Sequence, residues 1–506
     1  MTIPLNEDDA RYAHVVGFSL LALVLVRLVV AARTPLAFDE AYYWLWSEHL
    51  AAGYYDHSPM VAWVIWLSTA IAGDTELGVR LLSVLLAVPA TWAVWRAAAL
   101  LFGNARLAAT AALFFNLTLM VGAGTVVVTP DAPLLVASAF VLFFLAKVAE
   151  TADGRWWLAV GLAAGCALLS KYNALFFAIG ILIWLILVPS LRRWLATPWP
   201  YLGGLVALAL FAPVILWNAE HQWASFHKQF GRVVVQQWTL RYLAEYVGAQ
   251  IGLATPSIFV LGVMGAWAFL RGRGGGQAAR VLLIALILPT TIYFMWHSLH
   301  ARVEGNWTAP MFPAFALAAA AAAHGIDWQG TALRTAEWSR RSAAPIALAM
   351  VGIIYAQGVF GIIPLGGIDP TARQLGTGWR AVGVEIDAFR KAHGARAVLT
   401  TSYALTSWLS FYLPSRPPVV QLNDRIRWVN APTPDPDLFK VPLLYFCDAE
   451  CGGVDLVRRR FESVHEVARI PRRRRGVEIE TYAVYRVHGP RGDPLDRLQA
   501  AELKVR

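Results

Sequence analysis

Along the first 364 residues of this 506-residue chain polar positions are scarce and apolar ones form long runs, whereas from residue 365 onward charged and apolar residues alternate at short intervals. A membrane-spanning helix needs about 20 apolar residues. Runs that qualify centre on 12–32, 78–101, 107–123, 131–149, 157–170, 174–189, 201–217, 247–270, 281–297, 307–324 and 345–363, which predicts about eleven spans. The first run lacks a basic leading segment and ends in Ala-Ala-Arg-Thr-Pro without a convincing cleavage site, so it reads as an anchor rather than a secretory signal. Beyond a Gly/Pro-rich connector from Pro364 to Pro370, a helical stretch over Trp379 to His393 alternates with β-branched runs at Ala397 to Thr401 and Val441 to Phe446. That alternation predicts a small α/β or α+β unit. The expected organisation is a membrane all-α domain over 1–364 and a soluble domain over 365–506.

Composition agrees with two solvents. The chain is 58% hydrophobic and 15% charged, with mean hydropathy +0.51, which excludes a single soluble globular protein. Residues 365–506 hold 22 Lys/Arg and 16 Asp/Glu, about a quarter of that segment against about a tenth of the rest. The net charge of +10 does not point to nucleic acid, because much of it sits in short Arg-bearing loops between apolar runs and no basic, aromatic platform accompanies it. Counting from an inside amino terminus places Arg96, Arg106, Lys147, Arg155, Arg192, Arg193, Arg271, Arg273, Arg280, Arg334, Arg340 and Arg341 on the cytoplasmic side, as the positive-inside rule expects. The loops at 33–77, 124–130, 170–174, 218–246 and 298–306, and the carboxyl-terminal domain, then face outside. Arg472 to Arg475 reads as a solvated turn, with binding of acidic headgroups as the alternative. Cys166 is a small residue in an apolar span. Cys447 and Cys451 are spaced for a small disulfide in an oxidising compartment, and two free thiols are the other reading.

The outer loops carry the candidate chemistry. The first holds Phe38-Asp39-Glu40 and then Tyr42, Tyr43, Trp44 and Trp46, a spacing that predicts an amphipathic helix over 40–52 in the membrane interface with Asp39 near its start. An N-cap aspartate beside an aromatic belt accounts for the same residues. Further on come Gly53-Tyr-Tyr55-Asp56-His57-Ser58-Pro, Thr129-Pro-Asp131, Ser170-Lys171-Tyr172, His227-Lys228 through Arg232, and Arg302-Val-Glu304-Gly-Asn306-Trp. Ionisable residues at membrane depth are costly and by default functional, although Lys171 alone fits a snorkelling side chain. Carboxylates facing cations at one membrane surface suit transfer of a group from an anionic lipid carrier: cations hold the phosphate leaving group and a carboxylate handles the acceptor. No nucleotide-phosphate loop, Gly-x-Ser-x-Gly elbow or His-Glu-x-x-His zinc helix is present in the sequence.

The order Phe-Asp39-Glu40-Ala-Tyr-Tyr-Trp, Gly-Tyr-Tyr-Asp56-His-Ser-Pro, Thr-Pro-Asp131, Leu-Ser-Lys171-Tyr and Glu304-Gly-Asn-Trp resembles the bacterial protein-mannosyltransferase-like glycosyltransferases. These are integral-membrane transferases of GT-C fold, similar to the lipid A aminoarabinose transferase. The resemblance implies a GT-C helical domain ahead of a periplasmic domain, a sugar donor on polyprenyl phosphate and inverting transfer on the periplasmic face of the bacterial inner membrane. It also implies a catalytic acidic residue in the first outer loop, where Asp39 stands. Asp131 matches the second acidic motif, and Asp56-His57, Lys171 and Arg232 match acidic and cationic positions near the donor phosphate. Two departures stand out: His57 replaces the lysine of the aminoarabinose enzyme and Ser58 a common proline.

The resulting expectation is a single displacement in which Asp39 positions or deprotonates the acceptor, with Asp131 and Glu40 organising the site and His57, Lys171 and Arg232 cradling the phosphate. Tyr55, Asp56, Tyr172, His227, Arg302 and Glu304 are expected to touch substrate. The acceptor is a glycan, a lipid or a protein of the cell envelope. No soluble cofactor is required, and a divalent cation bridged by Asp39 and Asp131 is the alternative. A multispan transporter or lipid flippase is the competing reading; it predicts repeated halves and polar residues along a path through the bilayer, and neither is evident.

Overall fold

The computed structural model describes residues 7–151, 153–231 and 238–496. The chain is a multi-pass membrane protein, mostly helical, with a small mixed sheet near its carboxyl end. Six helices among the described residues are long and apolar enough to cross a bilayer: Glu7–Arg33, Glu76–Phe102, Asp131–Thr151, Trp199–Glu220, Gln277–His297 and Gly330–Phe360. Two sharply bent pairs raise the number to eight at most, Tyr172–Leu187 with Pro189–Ala196 (115°) and Arg241–Ala254 with Pro256–Leu270 (103°).

The eleven spans expected from hydropathy are therefore not all helices of spanning length, and the breaks have local causes. Pro189 and Pro256 each open a new helix, and the residue before a proline is driven from helical backbone; Thr255 takes a positive φ of 64° there. The run at 107–123 is cut by Thr118, whose hydroxyl accepts the Val121 amide at 3.3 Å and caps a separate turn. The run at 307–324 starts as a 3-10 turn, Gly305–Met311, before the helix Phe312–His324. The run at 345–363 is the outer part of Gly330–Phe360, which carries Arg334, Arg340 and Arg341 in its first half. A further apolar helix, Met60–Ala72, lies within what hydropathy marks as the first outer loop.

Small residues let these helices approach closely. Phe312–His324 is alanine-rich and nearly all buried, and a Cβ on Gly265 of the neighbouring helix would fall 2.0 Å from the carbonyl oxygen of Ala318. Such contacts substitute packing for the hydrophobic drive that lipid does not supply. At one end, loops bearing Arg106, Arg271 and Arg273 gather: Phe102 stacks on Phe269 at 6.2 Å, Arg106 meets Asp9 at 3.6 Å and Arg273 lies over Trp328 at 5.2 Å.

The sheet strands are β1 (Val398–Thr400), β2 (Val419–Gln421), β3 (Leu443–Asp448), β4 (Phe461–Arg474) and β5 (Val477–Pro490), in spatial order β2-β1-β3-β5-β4. β1 runs parallel to β2 and β3, and β5 is antiparallel to β3 and β4. Cys447 and Cys451 close a disulfide after β3. The arginine run is no solvated turn. Strand alternation sends Arg472 inward, 1% exposed, onto the carbonyls of Ala372 and Thr377, while Arg474 pairs with Asp369 at 3.1 Å. Arg473 and Arg475 face out.

The first outer-loop helix, Phe38–Ser47, is shorter than expected and does not lie in lipid. Tyr42, Trp44 and Trp46 are buried in one apolar cluster with Trp379, Trp408 and Leu409 of the carboxyl-terminal region. Leu36 donates its amide to Tyr412 Oη at 2.8 Å and accepts from Trp408 Nε1 at 3.0 Å, and Arg380 meets Glu76 at 2.5 Å. The aromatic stripe thus serves as the seat for the sheet region.

Candidate active site

Asp39 sits in the first turn of Phe38–Ser47 beside Glu40. Glu40 has a different environment from its neighbour: its carboxylate is fully buried, takes Arg80 Nε at 2.6 Å, and accepts the amides of Ala37 and Val128, each at 2.8 Å. Arg80 in turn donates to the carbonyls of Ala31 and Pro35 at 2.9 and 3.0 Å. Every hydrogen-bonding group of this buried pair is engaged, as a desolvated ion pair requires. Glu40 therefore ties the helix to Val128 and does not line the polar cavity around Asp39.

Around Asp39 opens a polar cavity of about 650 Å³, to which each outer loop and the carboxyl-terminal region contribute: Asp39, Asp56, His57, Asp131, Lys171, Lys228, Arg302, Glu304, Tyr403 and Arg427 all line it. Asp131 opens its helix, accepts from Lys171 Nζ at 2.8 Å and takes the Asn306 amide at 2.6 Å. Asp56 is held by Tyr42 Oη at 2.8 Å, Lys228 Nζ at 2.5 Å and Arg427. Tyr55 packs beneath the same cations, 4.3 Å from Lys228 and 5.5 Å from Arg427.

Two carboxylates in one cavity are driven apart in proton affinity. Burial, with repulsion from Asp56, raises Asp39 to about 6, against a partial offset from the Tyr403 hydroxyl that donates to it at 3.3 Å. Burial would also raise Asp56, but Arg427 and Lys228 outweigh it and hold Asp56 at about 2. Diverging carboxylates of this kind separate a proton acceptor from a permanently charged partner. Tyr403 and Arg427 are themselves displaced upward, Tyr403 by burial and the charge of Asp39, Arg427 by the charge of Asp56 against the pull of burial.

A second cavity of about 370 Å³ adjoins the first, and His57, Lys171 and Trp307 line both. Its remaining wall is mainly apolar, with Leu175, Phe176, Ile179, Phe230 and Phe294. Tyr172 belongs here and bonds Ser225 Oγ at 2.8 Å.

Not every expected residue joins. His227 is exposed and lines neither cavity; the neighbouring position, Lys228, turns inward instead. Arg302 and Glu304 line the rim but are solvent-exposed, with Arg302 bonded to Glu245 at 3.3 Å. Arg232 lies outside the described residues. Sequence reasoning missed Tyr403 and Arg427, which reach Asp39 and Asp56 across 364 and 371 positions; the only signal of them is the three-dimensional fold. Among the described residues no group of three His, Cys, Asp or Glu side chains is arranged to hold a metal ion.

Comparison with known proteins fits this geometry. Residues 56–217, which contain Asp56, His57, Asp131 and Lys171, match the dolichyl-phosphate-mannose-protein mannosyltransferase family. The lipid A galacturonosyltransferase RgtD of Rhizobium johnstonii is 28% identical over 307 residues, 59% of this chain and 62% of that protein. The alignment thus spans under two thirds of the relative's length. ArnT of Cupriavidus metallidurans, in a crystal structure bound to undecaprenyl phosphate, superposes with TM-score 0.63 at 18% identity over 93% of this chain and 97% of its own; the apo form gives 0.62. The resemblance to the protein-mannosyltransferase-like group therefore holds, and the fold is the GT-C fold.

Proposed function

We propose that this chain is an integral-membrane inverting glycosyltransferase that moves a sugar from a polyprenyl-phosphate donor to a cell-envelope acceptor. The observation that carries the reading is the junction of two cavities at His57 and Lys171: an apolar groove suited to a prenyl chain on one side, and a polar chamber holding Asp39 on the other. A lipid phosphate placed at the junction meets Lys171, and its sugar extends toward Asp39. The match to the mannosyltransferase family and the likeness to RgtD support a lipid-linked donor. ArnT, of the same fold, was crystallised with undecaprenyl phosphate.

In the reaction the acceptor hydroxyl gives its proton to Asp39 as its oxygen attacks the anomeric carbon. The bond from that carbon to the phosphate oxygen breaks, and polyprenyl phosphate departs with both electrons of that bond. A base with proton affinity near 6 is largely ionised at neutral pH yet still strong enough to accept the proton, a match worth roughly 10²–10⁴-fold in rate. Lys171 and Lys228 stabilise charge on the departing phosphate, each anchored by its own carboxylate so that no reorganisation is required during the step. Arg232 is the third cation of the cradle on sequence grounds. Asp131 orients Lys171 and Asn306, and Tyr403 fixes the carboxylate plane of Asp39.

This scheme uses no metal. Asp131 already takes Lys171 and Asn306, so a divalent ion bridging it to Asp39 would have to displace them. The cavity opens on the periplasmic side in this reading, with the Arg-bearing loops at the opposite end in the cytoplasm, in keeping with the positive-inside rule. The acceptor is a lipid-borne glycan such as lipid A or lipopolysaccharide core. The test is sugar transfer in reconstituted vesicles from a panel of labelled polyprenyl-phosphate sugars, comparing wild type with Asp39→Asn. Loss of transfer in the variant is expected. Transfer that survives, or solute movement in place of transfer, rejects the reading.

A further inference from the structure

A third cavity, of about 510 Å³, is lined mainly by the carboxyl-terminal region. Its wall joins the end of the first outer-loop helix and the turn after it (Trp46, His49, Tyr54) to the carboxyl-terminal region (Thr406, Gln421, Arg425). Arg427 lines both this cavity and the one that holds Asp39.

Arg425 sets its chemistry. The side chain is only 7% exposed, and among the described residues its one side-chain hydrogen bond goes to the Gln421 carbonyl at 3.1 Å. Among the described residues no carboxylate lies within ion-pairing distance of it. Of the neighbouring acids, Asp437 pairs with Lys440 at 2.6 Å, Asp435 accepts the Asp437 amide at 2.9 Å, Asp496 pairs with Arg460, and the exposed Asp493 accepts the Leu495 amide at 3.0 Å. A buried guanidinium without an ion-paired counter-charge is expensive: burial pushes its proton affinity down, and the charge of Asp493 offsets this only in part. Two buried donors of side chains in the same wall, Trp46 Nε1 and Arg427 Nε, have no hydrogen-bond partner among the described residues; Asp424 Oδ2 stands 3.9 Å from Arg427 Nε. Unpaired buried donors are rare in folded proteins and call for an explanation. Here both belong to side chains that line the same cavity as Arg425.

We infer that this cavity binds an anionic saccharide, its carboxylate or phosphate seated on Arg425. Thr406, Ser410 and the Asn430 amide line the same space and offer the mixed donors and acceptors a sugar requires. That this saccharide is the acceptor rests on the function proposed above; its binding does not. As the acceptor, it would be held on the carboxyl-terminal region while its reactive hydroxyl passes Arg427 toward Asp39. The role of that region would then be to supply an acceptor site that the helical domain lacks.

The test is equilibrium binding to the full chain in lipid nanodiscs without donor. Two acidic probes, trigalacturonate and a phosphorylated glucosamine disaccharide, are compared with their uncharged counterparts. At least one acidic probe binds about tenfold or more tightly than its neutral counterpart, and Arg425→Met loses about tenfold or more in that affinity. Because Arg425→Met alters a buried group, a melting curve accompanies it. Thr433→Trp, in an exposed loop at the wall of the cavity, serves as an independent block and weakens binding likewise. Equal affinity for charged and neutral probes, or acidic binding untouched in both variants, overturns the inference. The carboxylate and phosphate probes identify the anion. Arg425-dependent binding by a protein that transfers no sugar would sink the glycosyltransferase reading and leave this one standing, whereas transfer without such binding would do the reverse.

Discussion

Replacing Asp39 with Asn should abolish transfer and at the same time stabilise the protein. The folded environment raises Asp39 from its usual 3.8 to about 6, about two units, and each unit is worth about 1.4 kcal/mol. Holding the carboxylate ionised therefore costs about 3 kcal/mol. Well below pH 3.8 the group is protonated in both folded and unfolded chains and nothing is lost. As pH rises the unfolded chain releases its proton first, near 3.8, while the folded chain keeps it until about 6. Wild-type stability falls across that window and then levels. Asparagine keeps an oxygen for the Tyr403 hydroxyl, yet cannot ionise. The advantage of the variant should thus appear between pH 4 and 6 and stay constant above, with about 3 kcal/mol as its ceiling because Tyr403 donates more strongly to a carboxylate than to an amide. Melting midpoints of the purified proteins in detergent, taken at one scan rate from pH 4 to 8, provide the readout. A variant no more stable than wild type at pH 7.5, or a gain independent of pH, would refute the account of Asp39 as a desolvated base.

Three further outcomes follow from the same geometry. The rate of transfer should fall on the acid side with an apparent pKa near 6, as Asp39 takes up its proton; a rate profile at saturating donor with a limb near 4 would contradict this. Glu40→Gln leaves Arg80 buried without a counter-charge and should destabilise by about 3–5 kcal/mol, read as a large drop in melting temperature with activity lost through unfolding rather than a changed pH limb. Arg427→Met removes a main support of the Asp56 carboxylate, so Asp56 should rise from about 2 and transfer should weaken, while a titration in which Asp56 stays near 2 would place its stabilisation elsewhere.

The apolar runs were legible because lipid imposes a strict period and length on a helix, and each of the eleven runs contains helix in the structure. Their continuity was not legible. Thr118, Pro189 and Pro256 break helices without lowering hydropathy enough to register over a window, and Met60–Ala72 at 13 residues is too short to register as a span. The motif residues Asp39, Asp56-His57, Asp131 and Lys171 line one cavity in the structure, as residues on alternate loops of a multispan chain can, since those loops share a face. Which member of a motif points inward was not legible. Glu40 looks equivalent to Asp39 until Arg80 is seen to claim it, and His227 looks more chemical than Lys228 until the short helix Ala224–Phe230 turns the lysine inward. Tyr403 and Arg427 carry no local signature at all. They enter the site only because Phe38–Ser47 is covered by the sheet region, whereas its aromatic stripe read as a lipid-facing belt.

The central claim is a lipid-linked transfer that depends on Asp39 at the junction of the two cavities. Its most direct test is release of polyprenyl phosphate from the labelled donor, measured in vesicles together with sugar appearing on the acceptor, for wild type and Asp39→Asn at pH 7.5. One equivalent of lipid phosphate released per sugar transferred by wild type, and neither by the variant, is the predicted result. Sugar transfer without release of the lipid phosphate, or equal turnover by Asp39→Asn, would contradict it.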